Sequence, residues 1–311
     1  MRIVRDYQFV ETEDRGAAAA IGNFDGVHLG HQAVIARTQE IAGSIAAPTG
    51  VLTFEPHPRE FFAPDAVPFR LMNADAKAHR LEKLGVDLLY ELNFNTGLSG
   101  LEPAEFAQRV IAEGLGLRHV VVGSDFRFGK GRAGTARDLQ DFGARLGFGV
   151  TIAPLLETGG IEVSSTRIRD ALSAGRPEDA ERMLGHLHRI EGRVIRGDQR
   201  GRDLGYPTAN MSIDGLHPPR FGVYAVRVAV LDGPHAGDYA GVASLGVRPM
   251  FGENRPNLET FVFDFTGDLY GAELSVALVA YLRPEAKFDG LDALIAQMDA
   301  DSRAARDILG V

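Results

Sequence analysis

Cysteine is absent from the 311 residues. That excludes a disulfide framework, a thiolate zinc site, an iron–sulfur cluster and a thiol nucleophile, and it accords with a reducing, cytoplasmic setting, where the chain is expected to work. A surplus of basic charge is also missing: 33 Lys and Arg face 42 Asp and Glu, giving a net charge of −9. Binding to duplex nucleic acid through neutralised phosphates needs the opposite balance, so no nucleic-acid partner is expected, while a local basic pocket stays compatible. No apolar run approaches the ~20 residues of a membrane span. The first residues, MRIVRDYQFVETEDRG, reach acidic side chains before any apolar core long enough for a signal peptide. No membrane partner is expected. Internal repeats and low-complexity tracts are lacking too.

What is present is ordinary globular composition, 45% hydrophobic and 24% charged, in a chain too long for one typical domain. From Ala17 to Pro154 short apolar runs (AAAAI, GVLTF, VDLLYEL, HVVVG, GVTIAP) alternate with helical patterns such as LGHQAVIARTQEIAG and GTARDLQDFGARLG. That rhythm predicts an α/β domain with a doubly wound parallel sheet, whose ligands sit at the C-terminal ends of its strands. Two further helical segments follow Ser164. From about His186 the pattern turns to extended segments divided by Gly, Pro and Asp, which predicts a small antiparallel β-barrel. A closing helix follows, with Leu291, Leu294, Ile295 and Met298 on one face. The expected domains are therefore 1–185 and 186–311. A homo-oligomer is left open.

Three motifs are set aside. Gly129-Lys130-Gly131-Arg132-Ala133-Gly134 fits the dinucleotide fingerprint, but its first glycine lies beyond the turn that leaves the strand ending near Gly123. The stretch Gly123 to Lys130 imitates a P-loop with one residue too many, and Gly131 stands where a Ser or Thr should be. His28 and His31 as a zinc pair lack a third ligand at helical spacing.

The run Gly22-Asn23-Phe24-Asp25-Gly26-Val27-His28-Leu29-Gly30-His31 links the first buried strand to the first helix. Glycines let the backbone approach a ligand closely, a helix N-terminus offers unpaired N–H groups, and the two imidazoles share a helical face, which suits a triphosphate. Late in the same domain, Ser164-Ser165-Thr166-Arg167-Ile168-Arg169 begins a helix in which Ser165 or Thr166 can serve as cap and the arginines add cationic forks. The barrel opens with Gly201-Arg202-Asp203-Leu204-Gly205-Tyr206-Pro207-Thr208-Ala209-Asn210. There Thr208 and Asn210 fall on one face of an incipient strand, and two neutral oxygens suit Mg²⁺, which takes the rest of its shell from water and phosphates.

GNFDGVHLGH and SSTRIR resemble the paired motifs of the nucleotidylyltransferase superfamily. TFEPHPRE and DFRFG narrow that resemblance to the adenylyltransferase half of prokaryotic bifunctional riboflavin kinase/FAD synthetases, and GRDLGYPTAN resembles the signature of riboflavin kinases. The resemblance implies ATP-dependent phosphorylation of riboflavin to FMN in the barrel, and transfer of AMP from ATP to FMN in the α/β domain, giving FAD and pyrophosphate. It implies that His28 and His31 contact the triphosphate beside Gly22, Asn23, Phe24, Asp25 and Gly26, and that Ser165, Thr166 and Arg169 hold the leaving phosphates. Asp125 would lie in a substrate-contacting loop. In the barrel it implies ATP at Gly201 and Gly205, Mg²⁺ at Thr208 and Asn210, and Glu259 as the base for a ribityl hydroxyl. Ser244, Met250 and Phe261 depart from residues frequent in that family. Two other readings are a nucleotidylyltransferase with a single activity on another phosphate acceptor, and a non-catalytic flavin or nucleotide sensor.

Overall fold

The computed structural model describes residues 1–154, 157–158, 161–196, 205–250 and 253–311. They form two compact units, Met1–Ala66 with Lys77–Val163, and Val67–Ala76 with Ser164–Val311.

The first unit is built on a parallel sheet of β1 (Arg2–Val4), β2 (Ala18–Ile21), β3 (Thr49–Glu55), β4 (Leu88–Asn93), β5 (His119–Gly123) and β8 (Gly149–Ala153), in the order β1-β4-β3-β2-β5-β8. All four residues of β2 and the middle three of β5 are buried, as expected of strands covered on both faces. The strand β1 escapes a reading from apolar runs, since it has three residues and buries only Val4, yet it pairs in parallel with β4. After β2 the chain passes through the helix α1 (Leu29–Ser44) to β3 on one side, and later places β5 on the other side of β2. This reversal opens a crevice at the C-terminal ends of β2 and β5. The loops that leave those two strands are Gly22–His28 and the segment carrying Asp125. Two short hairpins complete the unit, β6 (Arg127–Phe128) with β7 (Gly134–Thr135), and β9 (Glu157–Thr158) with β10 (Ile161–Glu162). Gly129 and Gly134 belong to the first of these, where a Cβ on either would meet Pro103 within 3 Å, so packing accounts for the nucleotide-like spacing of these glycines.

In the second unit six antiparallel strands follow the order β11-β16-β13-β14-β15-β12. They are β11 (Arg189–Arg193), β12 (Thr208–Ser212), β13 (Gly222–Val230), β14 (Gly237–Met250), β15 (Glu253–Val262) and β16 (Glu273–Arg283). The barrel nearly closes where the Ile195 N–H donates to the Asn210 carbonyl at 2.9 Å. Met211, Leu245, Leu258 and Val276 fill the interior. Outside, Val223, Ala225 and Phe263 pack with Ala305 and Leu309 of the C-terminal helix Leu291–Leu309. Burial on this helix differs from the sequence expectation: Leu291 is 54% exposed, Leu294, Ile295 and Met298 are only half-buried, and the deep positions are Asp301, Ala305 and Leu309. The stripe through Leu294 and Met298 continues into the deep positions, but its first half borders a cavity instead of the sheet. The helices Ser165–Ser173 and Pro177–Leu184 share a small core with Leu71 in this unit. Among the described residues no helix is long and apolar enough to cross a membrane.

Candidate functional site

In the first unit the Gly22–His28 loop is held in a conformation that ordinary side chains avoid. Phe24 (φ 52°), Gly26 (φ 86°) and Val27 (φ 43°) all lie in the left-handed region. For a β-branched residue this is a true outlier, costing about 1–3 kcal/mol, and such strain persists only where the surroundings over-determine it. They do so here. Phe24 and Val27 are buried, the Val27 N–H donates to the Phe24 carbonyl at 3.1 Å, the Gln32 amide donates to the Val27 carbonyl at 2.9 Å, and the Gly22 N–H is tied to Leu52 of β3 at 3.1 Å.

His28 is the N-cap of α1, so the two histidines meet across the helix start and not along its side. The His28 Nδ1 accepts the backbone N–H of His31 at 3.3 Å. With Nδ1 engaged as acceptor, the neutral ring carries its proton on Nε2 and remains a donor there. The two imidazoles stack at 3.6 Å between centroids and 15° between planes, with Phe24 5.1 Å from His31. Gly30 permits this, because a Cβ there would lie 3.1 Å from the His28 ring. Burial, reinforced by His28 and by the Lys77 ammonium, holds His31 well below the usual imidazole value, and its Nδ1 is buried with no hydrogen-bond partner. A buried orphan ring nitrogen at a helix N-terminus, beside a strained loop, is an arrangement that suits an anion. Asp125 is exposed just beyond β5.

Ser165, Thr166 and Arg169 belong to the second unit. Ser164, and not Ser165 or Thr166, is the N-cap of their helix, its Oγ accepting the Arg167 N–H at 3.4 Å. Ser165 and Thr166 therefore occupy the first turn with Thr166 exposed, and Arg169 donates from Nε to the Phe69 carbonyl and lies over the Phe69 ring.

On the barrel, strand register assembles the second constellation. Asn210 of β12 stands opposite Glu259 of β15, and Glu259 stands opposite Ser244 of β14, so the three form one row across three strands. Directly paired residues share a sheet face. Their neighbours Ala209, Met211 and Leu258 point into the barrel, which puts the row on the outer face. Thr208 joins Asn210 there: the Asn210 Nδ2 lies 3.4 Å from the Thr208 hydroxyl, while Asn257 donates to the Asn210 Oδ1 at 2.8 Å. Glu259 is half-buried on an interior strand, not an edge strand facing water. It opens into a cavity of about 280 Å³ lined by Tyr206, Thr208, Phe261, Leu294 and Met298. A second cavity of about 310 Å³ is lined by Pro207, Thr208, Asn210, Thr266, Asp268 and Tyr270. Thr208 borders both. Gly205 takes φ 81° in the turn before β12, and Gly201 lies outside the described residues.

Reading the sequence alone missed Tyr206, whose ring is 4.8 Å from Phe261 and whose phenol, pushed up by burial and by its hydrogen bond to Asp299, walls the Glu259 cavity. It also gives no role to Asn257 or Lys77; Tyr206 falls inside the GRDLGYPTAN run and Asn257 two residues before Glu259, while no motif marks Lys77.

The α/β unit thus carries a strained loop at its sheet crevice and the barrel a hydroxyl–amide–carboxylate row, the two-domain class of α/β sheet plus antiparallel barrel with a polar constellation in each. The family model for FAD synthetase matches residues 10–167, and that for riboflavin kinase matches residues 184–309. A bifunctional riboflavin kinase/FMN adenylyltransferase of Pseudomonas fluorescens is 44% identical over 98% of this chain and 97% of its own length. The Escherichia coli K12 protein of that description is 37% identical over 100% and 99%, and the Bacillus subtilis one 35% identical over 98% and 96%. The chain belongs to the bifunctional riboflavin kinase/FMN adenylyltransferase family. It also matches a solved structure titled macrolide-efflux protein, from Streptococcus pneumoniae, with a TM-score of 0.83 and 30% identity over 98% of both chains.

Proposed function

We propose that this chain makes both flavin nucleotides: riboflavin and ATP give FMN and ADP in the barrel, and FMN and ATP give FAD and pyrophosphate in the α/β domain. The functional division is drawn at 1–185 and 186–311, close to the two matched segments 10–167 and 184–309, whereas the second compact unit also takes in Val67–Ala76 and the residues from Ser164. The observation that carries the reading is that each unit has its own phosphate-competent constellation, the Gly22–His31 loop in one and the Thr208–Asn210–Glu259 row in the other.

In adenylyl transfer the nucleophile, the FMN phosphate, is already an anion. It attacks the α-phosphorus in line, the bond to the β-phosphate oxygen breaks, and pyrophosphate leaves, so the site must align the groups and stabilise charge and needs no base. The His28 and His31 rings and the Asn23 and Phe24 N–H groups are assigned as donors for this, and the family resemblance assigns Ser165, Thr166 and Arg169 to the leaving phosphates and Asp125 to the flavin-side loop.

In the kinase reaction the nucleophile is a neutral ribityl hydroxyl, and Glu259 takes its proton as the oxygen attacks the γ-phosphorus. The apolar and aromatic walls beside Glu259 suit riboflavin, and the cavity across Thr208 suits the ATP phosphates near Gly205. Thr208 and Asn210 share one face and their neutral oxygens suit Mg²⁺; the Asn210 Nδ2 here faces the Thr208 hydroxyl and its Oδ1 accepts from Asn257, so holding the ion through both oxygens would require that amide to turn. When bound there the ion neutralises phosphate charge.

Chromatography of products from riboflavin, ATP and Mg²⁺ tests the reading. FMN and then FAD are expected, and riboflavin left unconverted overturns it.

A further inference from the structure

Behind the strained loop lies a buried cation that neither constellation uses. Lys77, in the helix Ala74–Lys83, is 2% exposed. Its Nζ donates to the Thr53 hydroxyl at 3.3 Å and lies 3.8 Å from the Glu55 carboxylate, both on the C-terminal end of β3. Thr53 is fully buried, and its hydroxyl donates in turn to the Asn23 carbonyl at 3.2 Å. The hydroxyl has one proton to give and gives it to the loop, so it accepts from Lys77. A continuous relay therefore runs from an ammonium to the peptide just before Phe24, where the left-handed conformation begins.

We propose that Lys77 is a positioning residue for adenylyl transfer, fixing the Asn23–Phe24 peptide through Thr53 and setting a positive field at the phosphate loop. The inference rests on the reading of Gly22–His31 as the adenylyl-transfer site. Two arguments carry it. First, the C=O and N–H of a trans peptide point in opposite directions, so pinning the Asn23 carbonyl toward β3 turns the Phe24 N–H away from it and keeps it off the strand ladder. Second, a neutral donor would serve Thr53 equally well, whereas desolvating an ammonium costs several kcal/mol. The Glu55 carboxylate 3.8 Å away offsets part of that cost, and ATP with FMN brings several further negative charges to this edge of the sheet. The influence of Lys77 on His31 agrees, since a field that disfavours an imidazolium favours a phosphate at the same place.

The test uses the full-length chain carrying Lys77→Met, which keeps the length of the side chain and removes the charge, and separately Thr53→Val, which keeps the volume and removes the relay. Lys77→Met is expected to lower kcat for FMN adenylylation by about 100-fold, the scale of a lost charge-stabilising group. Thr53→Val is expected to lower it by roughly 10-fold, the order of one hydrogen bond to a charged group. Both should leave FMN formation from riboflavin within about twofold of the parent, because that chemistry belongs to the other constellation. An NMR titration of the His31 ring should move upward in Lys77→Met and stay in place in Thr53→Val. Parental kcat and KM for FMN in Lys77→Met, with only a lowered melting temperature, mark the lysine as a structural cation and overturn the proposal, as does an unmoved His31 titration. A parent chain that forms FMN but no FAD overturns the reading of the loop itself, a result distinct from either.

Discussion

Asp301 offers the most quantitative handle on how the barrel keeps its flavin-side cavity. It sits in the C-terminal helix, 6% exposed, and receives the Arg283 guanidinium from β16 through Nε at 2.9 and 3.0 Å and Nη2 at 2.6 Å, with the Gln297 amide adding a bond at 2.9 Å. Arg283 and Asp301 both line the cavity that holds Glu259. Asp301→Ala removes both carboxylate acceptors, leaves Arg283, among its described hydrogen bonds, only the one from Nη1 to the Pro284 carbonyl at 3.0 Å, and strips a guanidinium that is 22% exposed of this carboxylate. Breaking a buried pair in this way costs about 3–5 kcal/mol, and the residual exposure of Arg283 points to the lower end. Asp301→Asn keeps an acceptor and loses only the charge, so about 1–2 kcal/mol is expected. For a unit of this size ~3 kcal/mol corresponds to a fall of roughly 10 °C in melting midpoint. Calorimetry or urea denaturation, followed by a near-ultraviolet signal from the barrel tyrosines, reads the stability. Riboflavin kinetics read the cavity, where kcat/KM should drop while adenylylation of supplied FMN stays near the parental value. A loss under about 1 kcal/mol in Asp301→Ala would refute the claim that this pair anchors the helix over the cavity.

Gly30→Ala places a Cβ 3.1 Å from the His28 ring, which must give by a few tenths of an ångström and so loosens its stack on His31 and its cap bond. A displacement near 1 Å can cost about 100-fold, so a shift of a few tenths should lower pyrophosphate release from FMN and ATP by roughly 3-fold while FMN formation continues. Unchanged release would show that the stacked geometry is dispensable. A different readout is acid stability. His188 is 4% exposed and held down to about 3 by burial, then by His186 and His217, so it is neutral in the fold and takes up a proton on unfolding below its ordinary value. Its contribution is complete above about pH 6.5 and is lost as pH falls toward 3, at about 1.4 kcal/mol per unit. Unfolding free energy should therefore drop by ~2 kcal/mol more between pH 7 and 5 in the parent than in His188→Phe, and equal slopes would contradict it.

Much of this was legible because it is local. Buried strands such as Ala18–Ile21 and His119–Gly123 declare themselves as apolar runs, and the barrel strands by turn residues between extended segments. The glycines and histidines of Gly22–His31 could be assigned to a strand–loop–helix turn from order alone. What stayed hidden depends on partners distant in sequence. The register that sets Asn210 against Glu259 and brings Asn257 to Asn210 joins residues about fifty positions apart, and no spacing rule encodes it. Lys77 carries no signal in the sequence, because its burial follows from the packing of its helix near the end of β3. Ser164, Ser165 and Thr166 are equally good capping types, and only the backbone angles decide between neighbours in favour of Ser164. The short β1 has too few residues to carry a pattern.

The central claim is that two separate sites, one in each constellation, act in sequence on the flavin. Its most direct test measures FMN and FAD side by side for the double variant His28→Ala/His31→Ala and for Glu259→Gln, each supplied first with riboflavin and then with FMN. The histidine variant should accumulate FMN from riboflavin without making FAD. Glu259→Gln should lose FMN formation by about 100-fold or more and still convert supplied FMN to FAD. Loss of both products together in either variant would contradict the account.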